Sequence, residues 1–295
     1  MPSTGLILAF IAFLAWGFGD FFIQRSVRAI GNIAALLAIG LVGCVVLTPI
    51  VWVKIPAVAK DPSSWIFLII AFLITLVVAL VEFQSFKVGK LSVIEPIMSL
   101  ELPLTIIIGL AFLRERLTTP QLMLMFVIFL GVALSAIRPH VHHWWTRWRQ
   151  TRLVEAGVWL GLIGAGVMAL TNIFTGLASQ HAGPLVAVWF IHSSLALFCL
   201  IILLARRQLR MELINIKKSW RVVLGESLFD NLAWIAYSGA VIYLPVSLTI
   251  GITESYIVLA ALLGIIANRE RLQRHQYFGI GLALVGTIFL GVISG

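Results

Sequence analysis

Apolar residues run through this chain in long unbroken stretches, and most polar and charged residues gather between them. About 20 consecutive apolar residues span a bilayer as a helix. That ruler predicts ten transmembrane helices, at about 5–23, 32–53, 65–86, 92–113, 119–137, 154–174, 184–204, 220–240, 246–267 and 275–293. The connections are short apart from 138–153 and 205–219. A membrane β-barrel is excluded, because its strands alternate apolar and polar residues. The expected class is an all-α integral membrane protein, in keeping with a chain 61% hydrophobic and only 11% charged. The N-terminus lacks the basic region and cleavage site of a signal peptide, so the first span is expected to stay in the mature protein.

The second half of the chain repeats the first. Arg114-Glu115-Arg116-Leu117 recurs 155 residues later as Arg269-Glu270-Arg271-Leu272, each at the end of an apolar span. At the same offset Gln121 matches Gln276, Gly131 matches Gly286 and Trp65 matches Trp220. Earlier in each half the offset is 152, where Gly5 matches Gly157 and Asp20 matches Asn172. Five spans per copy is an odd number, so the copies are expected to cross the membrane in opposite senses. Inverted repeats are a common plan for secondary transporters with a site between the copies. The expected units are residues 1–137, a basic and aromatic interfacial linker at 138–153, and residues 154–295.

Three features carry a family resemblance: Ala15-Trp16-Gly17 in the first span, Pro103 in the fourth, and the Leu113-Arg114-Glu115-Arg116-Leu117 end of that span. The chain resembles an EamA-type transporter of the drug/metabolite transporter superfamily. The second copy keeps the Arg-Glu-Arg-Leu end but has Val258 where the first has Pro103. The resemblance implies a multi-pass carrier of a bacterial-type inner membrane that exports amino acids, amines, drugs or other metabolites, without specifying which.

Charge orients the helices. Of 21 Lys and Arg, only Lys54, Lys60, Arg114 and Arg116 fall on one side of the predicted array. Positive-inside places the other, basic side in the cytoplasm and both termini outside.

Against this basic balance, seven of the twelve acidic residues lie inside predicted spans and clear of their first and last two residues: Asp20, Glu82, Glu95, Glu101, Glu226, Asp230 and Glu254. A carboxylate at the bilayer centre costs on the order of 2.5–3.5 kcal/mol, which points to a water-accessible cavity handling a solute with positive charge or exchangeable protons. In the eighth span Glu226, Asp230, Trp234 and Tyr237 form one stripe at helical spacing, expected to line that cavity. Glu101 and Glu254 fall mid-span on equivalent helices, with Tyr256 at the repeat position of Glu101. Glu95-Pro96 and Pro103 are expected to break the fourth span and free backbone carbonyls there, with Glu95 a gate or packing residue.

His192 is open to two readings, a packing residue or a proton relay. Trp16, Trp234, Tyr237 and Tyr256 are expected to stack on a cationic moiety. Asp20 is expected to satisfy interfacial backbone or pair with Arg25 or Arg28, and Glu82 to pair with Lys87. The His140, His142 and His143 cluster is interleaved with Trp and Arg, which suits the headgroup layer better than a metal.

The expected function is proton-coupled export of a small cationic or zwitterionic metabolite by alternating access, with the binding residues Glu101, Asp230, Glu254, Glu226, His192, Trp16, Trp234, Tyr237 and Tyr256. Partners are the solute, protons and the lipid bilayer, with no nucleic acid, no cofactor and no bound metal expected; the chain acts as a monomer or homodimer. No catalytic motif suggests an enzyme. Two alternatives stay open: a divalent metal-cation transporter using His192 with the carboxylates, and a lipid-glycan flippase or accessory membrane subunit.

Topology is directly testable. A reporter fused after Gly295 should be active outside the cytoplasm, and one inserted in the 205–219 connection should be active inside. A cytoplasmic C-terminus would overturn the orientation drawn from the basic residues.

Overall fold

The computed structural model describes residues 2–88, 97–136, 151–259, 263 and 273–294. Every regular element among them is an α-helix. In chain order these are α1 (Pro2–Ile30), α2 (Asn32–Val51), α3 (Ile55–Ala59), α4 (Pro62–Val88), α5 (Glu101–Ala111), α6 (Thr119–Ala136), α7 (Thr151–Ala182), α8 (Pro184–Ala205), α9 (Leu209–Lys218), α10 (Trp220–Ala240), α11 (Val246–Thr253) and α12 (Arg274–Ser294). Among the described residues, six helices are long and apolar enough to cross a membrane: α1, α2, α4, α7, α8 and α12. At 21 residues α10 also has the length, but it carries Arg221, Glu226 and Asp230. Glu95, the 138–150 stretch and the second Arg-Glu-Arg tip lie outside the described residues.

Two helices run past their predicted ends. α1 continues to Ile30 because Ile23, Val27 and Ile30, all buried, extend its apolar face beyond Asp20. α7 likewise continues to Ala182. Each then stops at a glycine with positive φ: Gly31 (φ 81, ψ 165) and Gly183 (φ 89, ψ 146). That backbone region is almost closed to residues with a Cβ. The two glycines are themselves 152 residues apart, so the repeat read from sequence reappears as one chain reversal built twice.

A second correspondence concerns the mid-span break. The helical path is interrupted by turns at Ser99-Leu100 and at Glu254-Ser255, which are 155 residues apart. Tight three-residue bonds bridge them: Leu102 N–H to Ser99 O at 3.3 Å and Val258 N–H to Ser255 O at 3.0 Å. Pro103 stands four residues after Ser99, so its missing N–H leaves the Ser99 carbonyl to Leu102, in keeping with the break expected of a proline there. The second copy makes the corresponding turn with Val258 in that place, so a proline is not required for it, and Pro96 lies outside the described residues.

The halves interleave. The most extensive helix contacts pair α1 with α10, α4 with α7, α2 with α8 and α6 with α12, each joining the first half to the second. Exchanging the two halves maps this set of pairs onto itself. A carboxylate also ties them: Glu115 accepts from the N–H groups of Val246 (2.6 Å) and Ser247 (3.1 Å), capping α11. The first Arg-Glu-Arg tip is therefore a cross-half helix cap. Asp61 caps α4 through the Ser63 and Ser64 N–H groups (both 3.1 Å), and the Ser64 and then Ser63 hydroxyl bonds hold its carboxyl down at about 2. That contribution is complete above the ordinary carboxylate range and is lost as pH falls toward about 2.

Between the predicted spans lie two helices that a 20-residue ruler does not detect, the short α3 and the amphipathic α9. α9 exposes Met211, Leu213 and Ile214 beside Lys217 and Lys218, a composition suited to the membrane interface.

Gly31→Ala and Gly183→Ala should each destabilise the fold by roughly 1–3 kcal/mol, read as a lower thermal midpoint in detergent. Gly166→Ala, in helix α7 with open space where its Cβ would stand, should leave the midpoint unchanged or raise it. Equal effects at all three positions would remove the role given to the positive-φ reversals.

Candidate functional site

Four acidic side chains from four helices surround one small central cavity of about 50 Å³: Asp20 from α1, Glu82 from α4, Glu101 at the start of α5 and Asp230 from α10. Trp16, Trp234 and Tyr256 share the lining, as do Met168 and Asn172 from α7. Among the described lining residues there is no Lys, Arg or His. A volume of this size holds a few waters or a small functional group, not a whole metabolite.

Apolar side chains pack against the cavity on two sides. Toward the α1 C-terminus, Ile23 and Phe83 belong to an apolar cluster with Val27, Ile30 and Met98. At the other end the four aromatics singled out from the sequence converge on one ring. Trp16 lies 5.2 Å from Trp234, 5.6 Å from Tyr237 and 6.2 Å from Tyr256, centroid to centroid. They rest on a second apolar cluster that includes Leu102, Ile173 and Val258. Three of the four face the cavity. Tyr237 is completely buried and donates its hydroxyl to Asn172 O at 2.8 Å, which makes it a support for the chamber wall.

The carboxyls differ in their surroundings. The Trp234 side chain, one turn along α10, hydrogen-bonds Asp230. The Glu254 carboxyl stands beside Glu101, which also accepts, at a long 3.5 Å, from the Asn172 amide. Glu254 stands behind Glu101 and is not part of the lining. The turn at Glu254-Ser255 places it there, and Ser255 is held by a short hydrogen bond to Thr287.

Several expectations change. Glu226 does not line the cavity; it is fully buried one turn from Asp230, accepting from the Ser26 hydroxyl at 2.7 Å, because helical twist and the close α1–α10 contact turn it toward α1. His192 does not line it either. Its imidazole borders a separate space of about 10 Å³ with Thr75, Thr175 and Trp234, and its Nδ1 is 2.8 Å from Asn231 Oδ1.

Asp20 and Glu82 were given pairing roles by the sequence, yet both line the cavity. The signal for Asp20 was present in its i+4 spacing from Trp16, which puts both on one helix face. The assumed end of the first span at residue 23 concealed it. Arg25 stacks on the Phe21 ring at 3.4 Å, and Lys87 borders a different cavity of about 280 Å³ at the α1–α2 reversal, with Arg206 and Glu212.

Comparison with known proteins bears on this geometry. The sequence pattern of the EamA-like transporter family matches residues 3–137 and again residues 155–292. An uncharacterized protein of Methanocaldococcus jannaschii is 24% identical over 135 residues, covering 46% of this chain and 98% of that protein. A protein of known crystal structure superposes with a TM-score of 0.74 at 13% identity, covering 99% of this chain and 98% of that one. At that identity the likeness concerns the fold alone.

Ser26→Ala should strip Glu226 of its hydroxyl donor and lower stability by roughly 1–3 kcal/mol, the effect of leaving a buried polar group short of a partner. The combined Ser26→Ala, Glu226→Leu variant should recover part of the loss in a thermal melt. No recovery would show that the pair does not act together.

Proposed function

The chain belongs to the EamA-like transporter family, and on that premise we propose that it exchanges protons for a small cationic or zwitterionic metabolite through the central acidic cavity. The observation that carries this reading is the set of four carboxyl side chains around one small cavity, without a basic side chain among the described lining residues. Several carboxylates gathered in such a place are costly, so the cavity favours either protons on the carboxyls or a cationic group among them. One occupant excludes the other, and that competition couples their movements. Trp16, Trp234 and Tyr256 offer ring faces to an ammonium group.

In this reading the ten spans form two inverted five-helix repeats, with both termini outside the inner membrane and export as the working direction. Support comes from the paired reversals at Gly31 and Gly183, the paired turns at residues 99–100 and 254–255, and the half-length archaeal relative. In this reading the apolar clusters on the two sides of the cavity act as gates, and alternating access opens one at a time. Glu101 and Asp230 carry the proton and solute exchange, with the Glu254 carboxyl beside Glu101. A transition-metal carrier would draw on His192 with the carboxylates, and that ring borders a separate pocket with its Nε2 4.0 Å from the Asp230 carboxyl.

The test is transport by purified protein in liposomes under an imposed pH gradient, with L-lysine, L-phenylalanine and tetraphenylphosphonium as probes and an internal pH dye. At least one probe should accumulate in the wild type with counter-movement of protons. Asp230→Asn and Glu101→Gln should each reduce gradient-driven accumulation by about tenfold or more, while probe exchange without a gradient survives in at least one of them. Unchanged accumulation in both variants would remove these carboxyls from the mechanism.

A further inference from the structure

Helices α2, α8 and α10 meet at a buried node just outside the acidic cavity. Asn231 on α10 is 6% exposed and His192 on α8 only 3%. Both amide hydrogens of Asn231 are committed, donating to Ile39 O at 3.0 Å and Ser227 O at 2.8 Å. That fixes the direction of Oδ1, which faces His192 Nδ1 at 2.8 Å. Room for this bond comes from Gly43 on α2. A Cβ there would stand 2.3 Å from Asn231 Oδ1 and 2.8 Å from His192 Nδ1.

The chemistry of this bond has one solution. An amide oxygen only accepts, so the imidazole hydrogen must be on Nδ1. In the neutral ring, Nε2 then holds the lone pair, and it lies 4.0 Å from Asp230 Oδ2. That gap is longer than a hydrogen bond, so contact requires a small swing of the Asp230 carboxyl toward the ring. Asp230 itself shares the acidic cavity with Asp20, Glu82 and Glu101, and Glu226, one turn before it on α10, is turned toward α1 and bonded to Ser26. The opposing residues on α2, Gly40 and Gly43, carry no side chain, and α4 and α7 contribute the hydroxyls of Thr75 and Thr175.

We propose that Asn231 is a positioning residue that holds His192 in its Nδ1–H tautomer, so that Nε2 accepts the proton given up by Asp230. The role in transport rests on the proton-exchange reading above. In the step, the O–H bond of Asp230 breaks and an Nε2–H bond forms, leaving a carboxylate beside an imidazolium. Because Nδ1 stays bonded to Asn231 throughout, the nitrogen that takes the proton must also release it. His192 is therefore a proton store beside Asp230, not a wire through the ring.

The test begins with histidine-selective ¹⁵N labelling of the full-length protein in nanodiscs. Long-range ¹H–¹⁵N correlations report the tautomer, and His192→Gln assigns the signals. The wild type should show Nδ1–H, and Asn231→Asp, which keeps an acceptor oxygen, should preserve a hydrogen on Nδ1. Asn231→Leu should lose that preference, and Gly43→Ala, which intrudes on the same bond from α2, provides a second way to break it if the leucine variant does not fold. An Nε2–H ring in the wild type, or an unchanged tautomer in the folded variants, overturns the positioning role.

The second readout is protons moved per probe in liposomes, with the three probes named above. The ratio should fall at least twofold in Asn231→Leu or Gly43→Ala and be retained in Asn231→Asp. An unchanged ratio in the variants that lose the tautomer overturns the proton store. If the wild type moves no protons with any probe, the transport reading falls and the store with it, and the tautomer result still decides whether Asn231 positions the ring.

Discussion

A carboxyl group in an apolar helix bundle must keep a proton, find donors or stand beside a cation, and the centre of this molecule is organised around that requirement. Each of the central acids meets it with a different part of the fold. Glu226 takes the Ser26 hydroxyl across the α1–α10 contact. Asp230 takes the Trp234 side chain from its own helix. Glu101 is met by Glu254, which arrives from the other half of the chain. Donors of this kind leave the acidic character of the cavity in place, and that character is the basis for the cation binding proposed above.

The same requirement gives the broken helices a purpose. A regular helix through residues 97–111 or 246–259 would point successive side chains around the cylinder at fixed angles. The turns at Ser99-Leu100 and Glu254-Ser255 reset that rotation at mid-depth, where the carboxyls of Glu101 and Glu254 meet. Irregular backbone at such a depth is tolerated when it is buried in protein or borders a cavity, and both conditions hold here. Glu115 then anchors the start of α11 from the opposite half, so the position of one broken helix depends on the tip of the other half.

Much of the architecture was legible in the sequence, because apolar runs and a duplicated tetrapeptide are local signals. Apart from α3 and α9, the described helices overlap the predicted stretches, and one repeat offset reappears at Gly31 and Gly183. What was not legible depends on rotation and partners. The Glu226–Tyr237 stripe is real as spacing, yet only Asp230 and Trp234 of its four members face the cavity, because α1 claims Glu226 and Asn172 claims Tyr237. Asp20 was undervalued because hydropathy counts apolar residues and ended the first span too early. Glu82 gave no such clue, since nothing local distinguishes a wall residue from a member of an ion pair with Lys87. His192 was legible as chemistry but not as geometry: its partner Asn231 is 39 residues away in sequence.

The central claim is that protons and a cation compete for one set of carboxyls, and the most direct measurement is proton release on binding. Purified protein in weakly buffered detergent, titrated with whichever cationic probe binds, should release protons as the sites fill, and raising the proton concentration should weaken the probe's affinity by mass action. Tight binding that is independent of pH and releases no proton would contradict the account.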